Sequence, residues 1–130
     1  MMKYQITYEL EQPVSLHEQG RRSYNEDYIY PVVGSAEDRM FLVCDGVGGS
    51  TRGDAASKFV CEELPALVNQ RLTGDLGPAL FTEDQQKVLL NDTLKELEAK
   101  MGAYIKENPE LSGMATTLTY LHLTPYGAVA

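Results

Sequence analysis

Tyr4, Ile6, Tyr8 and Leu10 alternate with Gln5, Thr7 and Glu9, a period of two that predicts a half-buried strand ended by Pro13. A polar loop carrying His17, Gly20, Arg21 and Arg22 follows. Asp27 to Val33 then reads as a second strand, with Pro31 marking an edge or a bulge. Gly34-Ser35-Ala36-Glu37-Asp38 turns the chain into the short apolar run Arg39 to Cys44, which ends at Asp45. These segments predict a hairpin. Because its first strand begins where its second finishes, Asp27 and Asp45 are expected near one another.

From Asp54 the spacing changes. Ala55, Ala56, Phe59, Val60, Leu64, Leu67 and Val68 recur at helical intervals, with Asp54 as the expected cap and Pro65 expected to kink or split the helix. Leu72 to Phe81, with Gly74, Gly77 and Pro78, reads as a loop. Thr82 followed by Gln85 resembles a capping box, and Leu90, Leu94, Leu97, Met101, Tyr104 and Ile105 line one face of a long helix that Asn108-Pro109 stops. Thr116 to Leu123 reads as a strand that is apolar on both faces and therefore central. Thr124-Pro125-Tyr126-Gly127 turns, and Ala128 to Ala130 starts a further strand, so the chain is expected to end within a hairpin. Three strands, two helices and a strand do not alternate as a parallel sheet requires. The order predicts an α+β fold, an antiparallel sheet with segregated helices.

Composition narrows the function classes. The chain has 130 residues, 43% hydrophobic and 23% charged, the size and balance of one soluble globular domain. Its 19 acidic residues outweigh 11 basic ones, for a net charge of −8, which argues against nucleic acid as a partner. No signal-like leader and no long apolar run appears, so no membrane association and a cytoplasmic location are expected. Cys44 and Cys61 form no Cys-x-x-Cys pair and are expected as free thiols in the core.

The candidate chemistry lies in two acidic clusters beside predicted strands, Asn25-Glu26-Asp27 and Cys44-Asp45-Gly46-Val47-Gly48-Gly49. Glu26, Asp27 and Asp45, with the Gly46 carbonyl, offer only oxygen ligands, which suit Mg²⁺ or Mn²⁺ better than zinc or copper. Two such ions can bind a phosphoryl group and activate a water, and Arg22 could grip the phosphate oxygens with its planar fork. Taken singly, each cluster also reads as an ordinary turn or a solvated loop. Their placement at the ends of one hairpin, with Arg22 close by, favours the metal reading. The glycines after Asp45 do not make a nucleotide loop, since no Lys-Ser or Lys-Thr follows.

Four segments in order, Arg22-Ser23-Tyr24-Asn25-Glu26-Asp27, Phe41 to Gly49, Gly53-Asp54-Ala55-Ala56-Ser57 and Ser112-Gly113-Met114-Ala115-Thr116-Thr117-Leu118, resemble the metal-dependent serine/threonine protein phosphatases of type 2C, bacterial branch. The resemblance runs from Arg22 to Ala130, with Leu72 to Glu110 matching only as helix. It implies residues 1–130 as a partial catalytic domain, part of an α/β/β/α four-layer sandwich with two antiparallel sheets flanked by helices. It also implies two divalent cations, Mn or Mg: Asp45 bridging them, the Gly46 carbonyl on one, Glu26 and Asp27 binding directly or through water. Arg22 would hold the substrate phosphate while a bridging hydroxide attacks in line, with no covalent enzyme intermediate.

The partners so implied are phosphorylated proteins and a cognate Ser/Thr kinase pathway. Val47 stands where many relatives have histidine, and the later Gly-Asp-Ser-Arg strand and metal-binding aspartates of the family have no counterpart before Ala130. The chain alone is therefore expected to be nearly inactive, and to pair through exposed sheet edges as a dimer. The alternative is a non-catalytic phosphoprotein-binding or scaffold module.

Overall fold

The computed structural model describes residues 7–20, 25–47, 52–73, 82–124 and 127–130. Its elements are β1 (Asp27–Tyr30), β2 (Met40–Asp45), α1 (Gly53–Thr73), α2 (Glu83–Glu107), a short 3-10 turn (Pro109–Leu111), β3 (Thr119–Thr124) and β4 (Gly127–Val129). The strands form one four-stranded sheet in the order β1-β2-β3-β4. Every neighbouring pair is antiparallel. The architecture is α+β, and β3 is central as its two apolar faces predict.

Both helices cover the same face. Met40, Leu42 and Cys44 alternate inward along β2 and meet Val60, Cys61, Leu64, Leu67 and Val68 of α1. Leu89 and Leu97 of α2 and Tyr120 of β3 complete this core. An ion pair between Arg71 and Glu96, 2.8 Å long and half-exposed, ties the helices together and adds little stability by itself. The opposite face is open: Val43 is 53% exposed and Leu121 37%. One sheet with its helix layer accounts for the described strands and the two long helices, and these are two of the four layers that the type 2C resemblance implies.

Local differences from the sequence expectations have identifiable causes. The described part of the first expected strand, Thr7 to Leu10, is irregular, and within it the Tyr8 carbonyl accepts from Arg39 Nη2 at 3.2 Å. Alternation gives a segment an apolar side but not a partner, and a strand needs the partner's ladder. Tyr4 to Ile6 lie outside the described residues. The next strand stops at Tyr30 rather than Val33 because Pro31 has no N–H to donate.

Pro65 does not split α1, which runs unbroken for 21 residues. Residues on both sides of Pro65 sit in the same core, so packing outweighs the lost backbone bond. Asp54 lies in the first turn rather than at the cap; the Arg52 carbonyl starts the helix by accepting from Ala55 and Ala56. The Thr82–Gln85 capping box forms as predicted, with Gln85 N–H donating to Thr82 Oγ1 at 3.2 Å and Thr82 N–H to Gln85 Oε1 at 2.8 Å. The buried stripe of α2 also holds two polar residues. Thr93 Oγ1 donates back to the Leu89 carbonyl at 2.6 Å, and Gln86 Nε2 donates to Thr124 Oγ1 at 3.0 Å. No described helix is long and apolar enough to cross a membrane.

Candidate metal centre

Asp27 and Asp45 are opposite one another in the β1–β2 ladder. Cross-strand partners project from the same face, so two carboxylates stand together at the end of the open face. Glu26, one residue earlier, is only 9% exposed. Its backbone carbonyl accepts from Gly46 N–H at 3.1 Å and from Ser57 Oγ at 2.5 Å, which fixes β1 to the turn after β2 and to the first turns of α1. Asn25 Oδ1 accepts from Asp27 N–H at 3.0 Å and shapes the entry to β1.

The Asp45-Gly46 turn is clamped from a third side. Asp45 N–H donates to Thr117 Oγ1 at 3.1 Å, and Thr117 N–H donates to the Asp45 carbonyl at 2.9 Å. Val47 N–H donates to the Ala115 carbonyl at 2.8 Å, extending the clamp. Here three backbones converge without space for a side chain. A Cβ on Gly46 would stand 2.5 Å from the Glu26 carbonyl oxygen and run into Gly53, while one on Gly53 would stand 2.5 Å from the Val47 carbonyl oxygen. The glycines of the Asp-Gly and Gly-Asp segments therefore permit the close approach that sets Asp45 beside Asp27.

The charges of this cluster are not compensated by any described residue. Among the described residues no ion pair engages Glu26, Asp27 or Asp45. Glu26 Oε1 and Asp27 Oδ1 are buried and have no hydrogen-bond partner among the described residues. Carboxylates directly opposite repel, and a buried oxygen without a donor is costly. Oxygen-only donors with these unmet demands fit a hard divalent cation. No three His, Cys, Asp or Glu side chains among the described residues converge closely enough to hold a metal by themselves. Arg22, Gly48 and Gly49 lie outside the described residues.

Sequence reasoning did not single out the supporting groups. His17 Nε2 donates to the Asp27 carbonyl at 2.7 Å, with its ring edge-on to Tyr28. Ser57 and Thr117 belong to the two later motif segments, and that membership was the available signal of their role. Arg52 grips Asp54 through two hydrogen bonds of 2.9 Å and holds its carboxyl below the usual range.

Known proteins resemble the chain in sequence and in fold. No protein-family model matches the chain. The serine/threonine protein phosphatase PstP of Mycobacterium tuberculosis is 31% identical over 98 residues, 75% of this chain and 16% of PstP. Protein phosphatase 2C 70 of Arabidopsis thaliana is 29% identical over 113 residues, 82% of this chain and 18% of that protein. The crystal structure of the phosphatase Stp1 from Staphylococcus aureus matches with a TM-score of 0.65 at 27% identity, over 94% of this chain and 44% of that one.

The chain is a relative of the type 2C serine/threonine phosphatases. It spans less than a fifth of the length of these two curated relatives. A type 2C relative with metal is also known: the catalytic domain of PstP in complex with two manganese ions has a TM-score of 0.52 at 27% identity, over 86% of this chain and 40% of that one.

Proposed function

We propose that residues 1–130 form part of a type 2C catalytic domain that hydrolyses phosphoserine and phosphothreonine esters in proteins, with two Mn²⁺ or Mg²⁺ ions as cofactors. The observation that carries this reading is the paired Asp27 and Asp45 beside Glu26, with two buried carboxylate oxygens that lack a partner among the described residues. Asp45, Asp27, Glu26 and the Gly46 carbonyl would hold the ions. When bound, these cations supply positive charge for the phosphoryl group and lower the pKa of a coordinated water.

The chain's own residues do the positioning. Thr117 and the Gly46–Gly53 contact keep Asp45 in place, Ser57 and Gly46 hold the Glu26 backbone, and His17 holds that of Asp27. Arg22 would take the phosphate oxygens in a two-pronged grip. Phosphorylated proteins and the products of a Ser/Thr kinase are the corresponding partners, and the cytoplasm the corresponding location. The open sheet face and the edges of β1 and β4, which no described strand pairs, make self-association part of this reading. The chain by itself is expected to turn over little substrate, because three carboxylates leave two divalent ions incompletely neutralised.

Mn²⁺ calorimetry on the chain and on Asp45→Asn tests the proposal, with para-nitrophenyl phosphate hydrolysis as the second readout. The expected result is Mn²⁺ binding weakened about tenfold or more by the substitution, a loss of about 1.4 kcal/mol, with hydrolysis near background for both proteins. Equal Mn²⁺ affinity in the two would contradict the assigned ligand. Phosphopeptide binding that needs no metal would favour the scaffold alternative.

A further inference from the structure

We propose that Cys44 and Cys61 are an oxidisable dithiol that closes into a disulfide between β2 and α1, a modification site independent of the phosphatase reading. The two sulfurs lie 3.5 Å apart although 17 positions separate them in sequence. Both are free thiols, and both are buried, at 0% and 2% exposure. They belong to different elements: Cys44 is on β2 immediately before Asp45, and Cys61 is on α1 one turn beyond Ser57. A disulfide has an S–S length of about 2.05 Å, so the sulfurs need to approach by about 1.5 Å. No other sulfur partner is needed, since the chain contains only these two cysteines.

The chemistry balances with hydrogen peroxide as oxidant. One thiol takes an oxygen from the peroxide, becoming a sulfenic acid and releasing water. The second thiol attacks that sulfur, the S–S bond forms and the S–O bond breaks, and a second water leaves with the protons. Overall, two thiols and one peroxide give one disulfide and two waters. Burial sets the rate, because a small oxidant reaches the sulfurs only during local openings of α1 from the sheet. The bond would then fasten β2 to α1 directly behind the Gly46–Gly53 contact, whose backbones already touch. It would also remove the loop between the two cysteines from the freedom of the unfolded chain.

The test is peroxide treatment of the native chain, followed by intact mass and by peptide mapping without reductant. The expected product is a monomer lighter by two hydrogens, with a single cross-linked peptide pair containing Cys44 and Cys61. Dithiothreitol should restore the original mass, and the oxidised form should unfold at a higher temperature. Sub-denaturing urea should speed the reaction by making openings more frequent. Oxygen adducts on the two sulfurs, disulfide-linked dimers, or two thiols still titratable after unfolding would each overturn the proposal. All of these readouts use the natural chain, so none depends on a variant folding.

Discussion

Leu42 and Val43 are adjacent in β2, yet Leu42 is 1% exposed beneath α1 while Val43 stands on the open face. The two faces of the sheet differ in cover rather than in composition. Ile29, Phe41, Val43 and Leu121 make the open face nearly as apolar as the helix-covered one. A strand that is apolar on both sides is suited to two covering layers, and the described residues supply one of them. What distinguishes the open face chemically is its end, where Asp27 and Asp45 are paired.

The largest effect separates the faces by stability. Leu42→Ala should cost about 2–5 kcal/mol in urea unfolding, because it opens a cavity under α1. Val43→Ala should cost under about 0.5 kcal/mol. Equal losses would mean that the open face is as closely packed as the covered one.

A second contrast concerns the turn that ends the open face. Gly46→Ala should cost about 1–3 kcal/mol, because its methyl group meets the backbones of Glu26 and Gly53. Gly102→Ala, at an exposed α2 position where a Cβ meets nothing within 4 Å, should stabilise by about 0.5–1 kcal/mol. Thermal unfolding of the two variants reads both signs. A harmless Gly46→Ala would break the argument that backbone convergence positions Asp45.

The hairpin and the Asp27–Asp45 pairing were legible in the sequence because they are local: a turn, two short apolar runs and a register set by their ends. The capping box of α2 was legible for the same reason. The irregular path at Tyr8 and Leu10, the continuity of α1 through Pro65 and the buried Gln86 were not. Each depends on a partner distant in sequence: the Arg39 side chain, the sheet beneath α1, the Thr124 hydroxyl of β3. The Cys44–Cys61 approach was hidden likewise, since it arises only when α1 lies on β2. Of the candidate site, the acidic residues were legible by type, whereas the Thr117 and Ser57 hydrogen bonds that fix their backbones appear only in three dimensions.

The smallest expected effect comes from a partly buried histidine on β3. Burial holds His122 below its ordinary pKa, and Tyr120 hydroxyl lies 3.1 Å from its Nδ1. The unfolded chain therefore binds a proton before the folded one does. Stability should be complete above about pH 6.5 and should decline as the pH falls from there through the lower folded-state pKa. His122→Gln should flatten that limb of a urea-midpoint profile against pH. An unchanged slope would place the acid sensitivity elsewhere. Tyr120, pushed up to about 12 by burial, stays neutral throughout this range.

The proposed cation site is the group of carboxylates at the end of the open face that no described residue pairs. Paramagnetic broadening of backbone amide signals by substoichiometric Mn²⁺ tests it residue by residue. Glu26, Asp27, Asp45 and Gly46 should broaden first, and Asp45→Asn should remove the effect. First broadening at the acidic surface of α1, around Glu62 and Glu63, with these four signals unchanged, would contradict it.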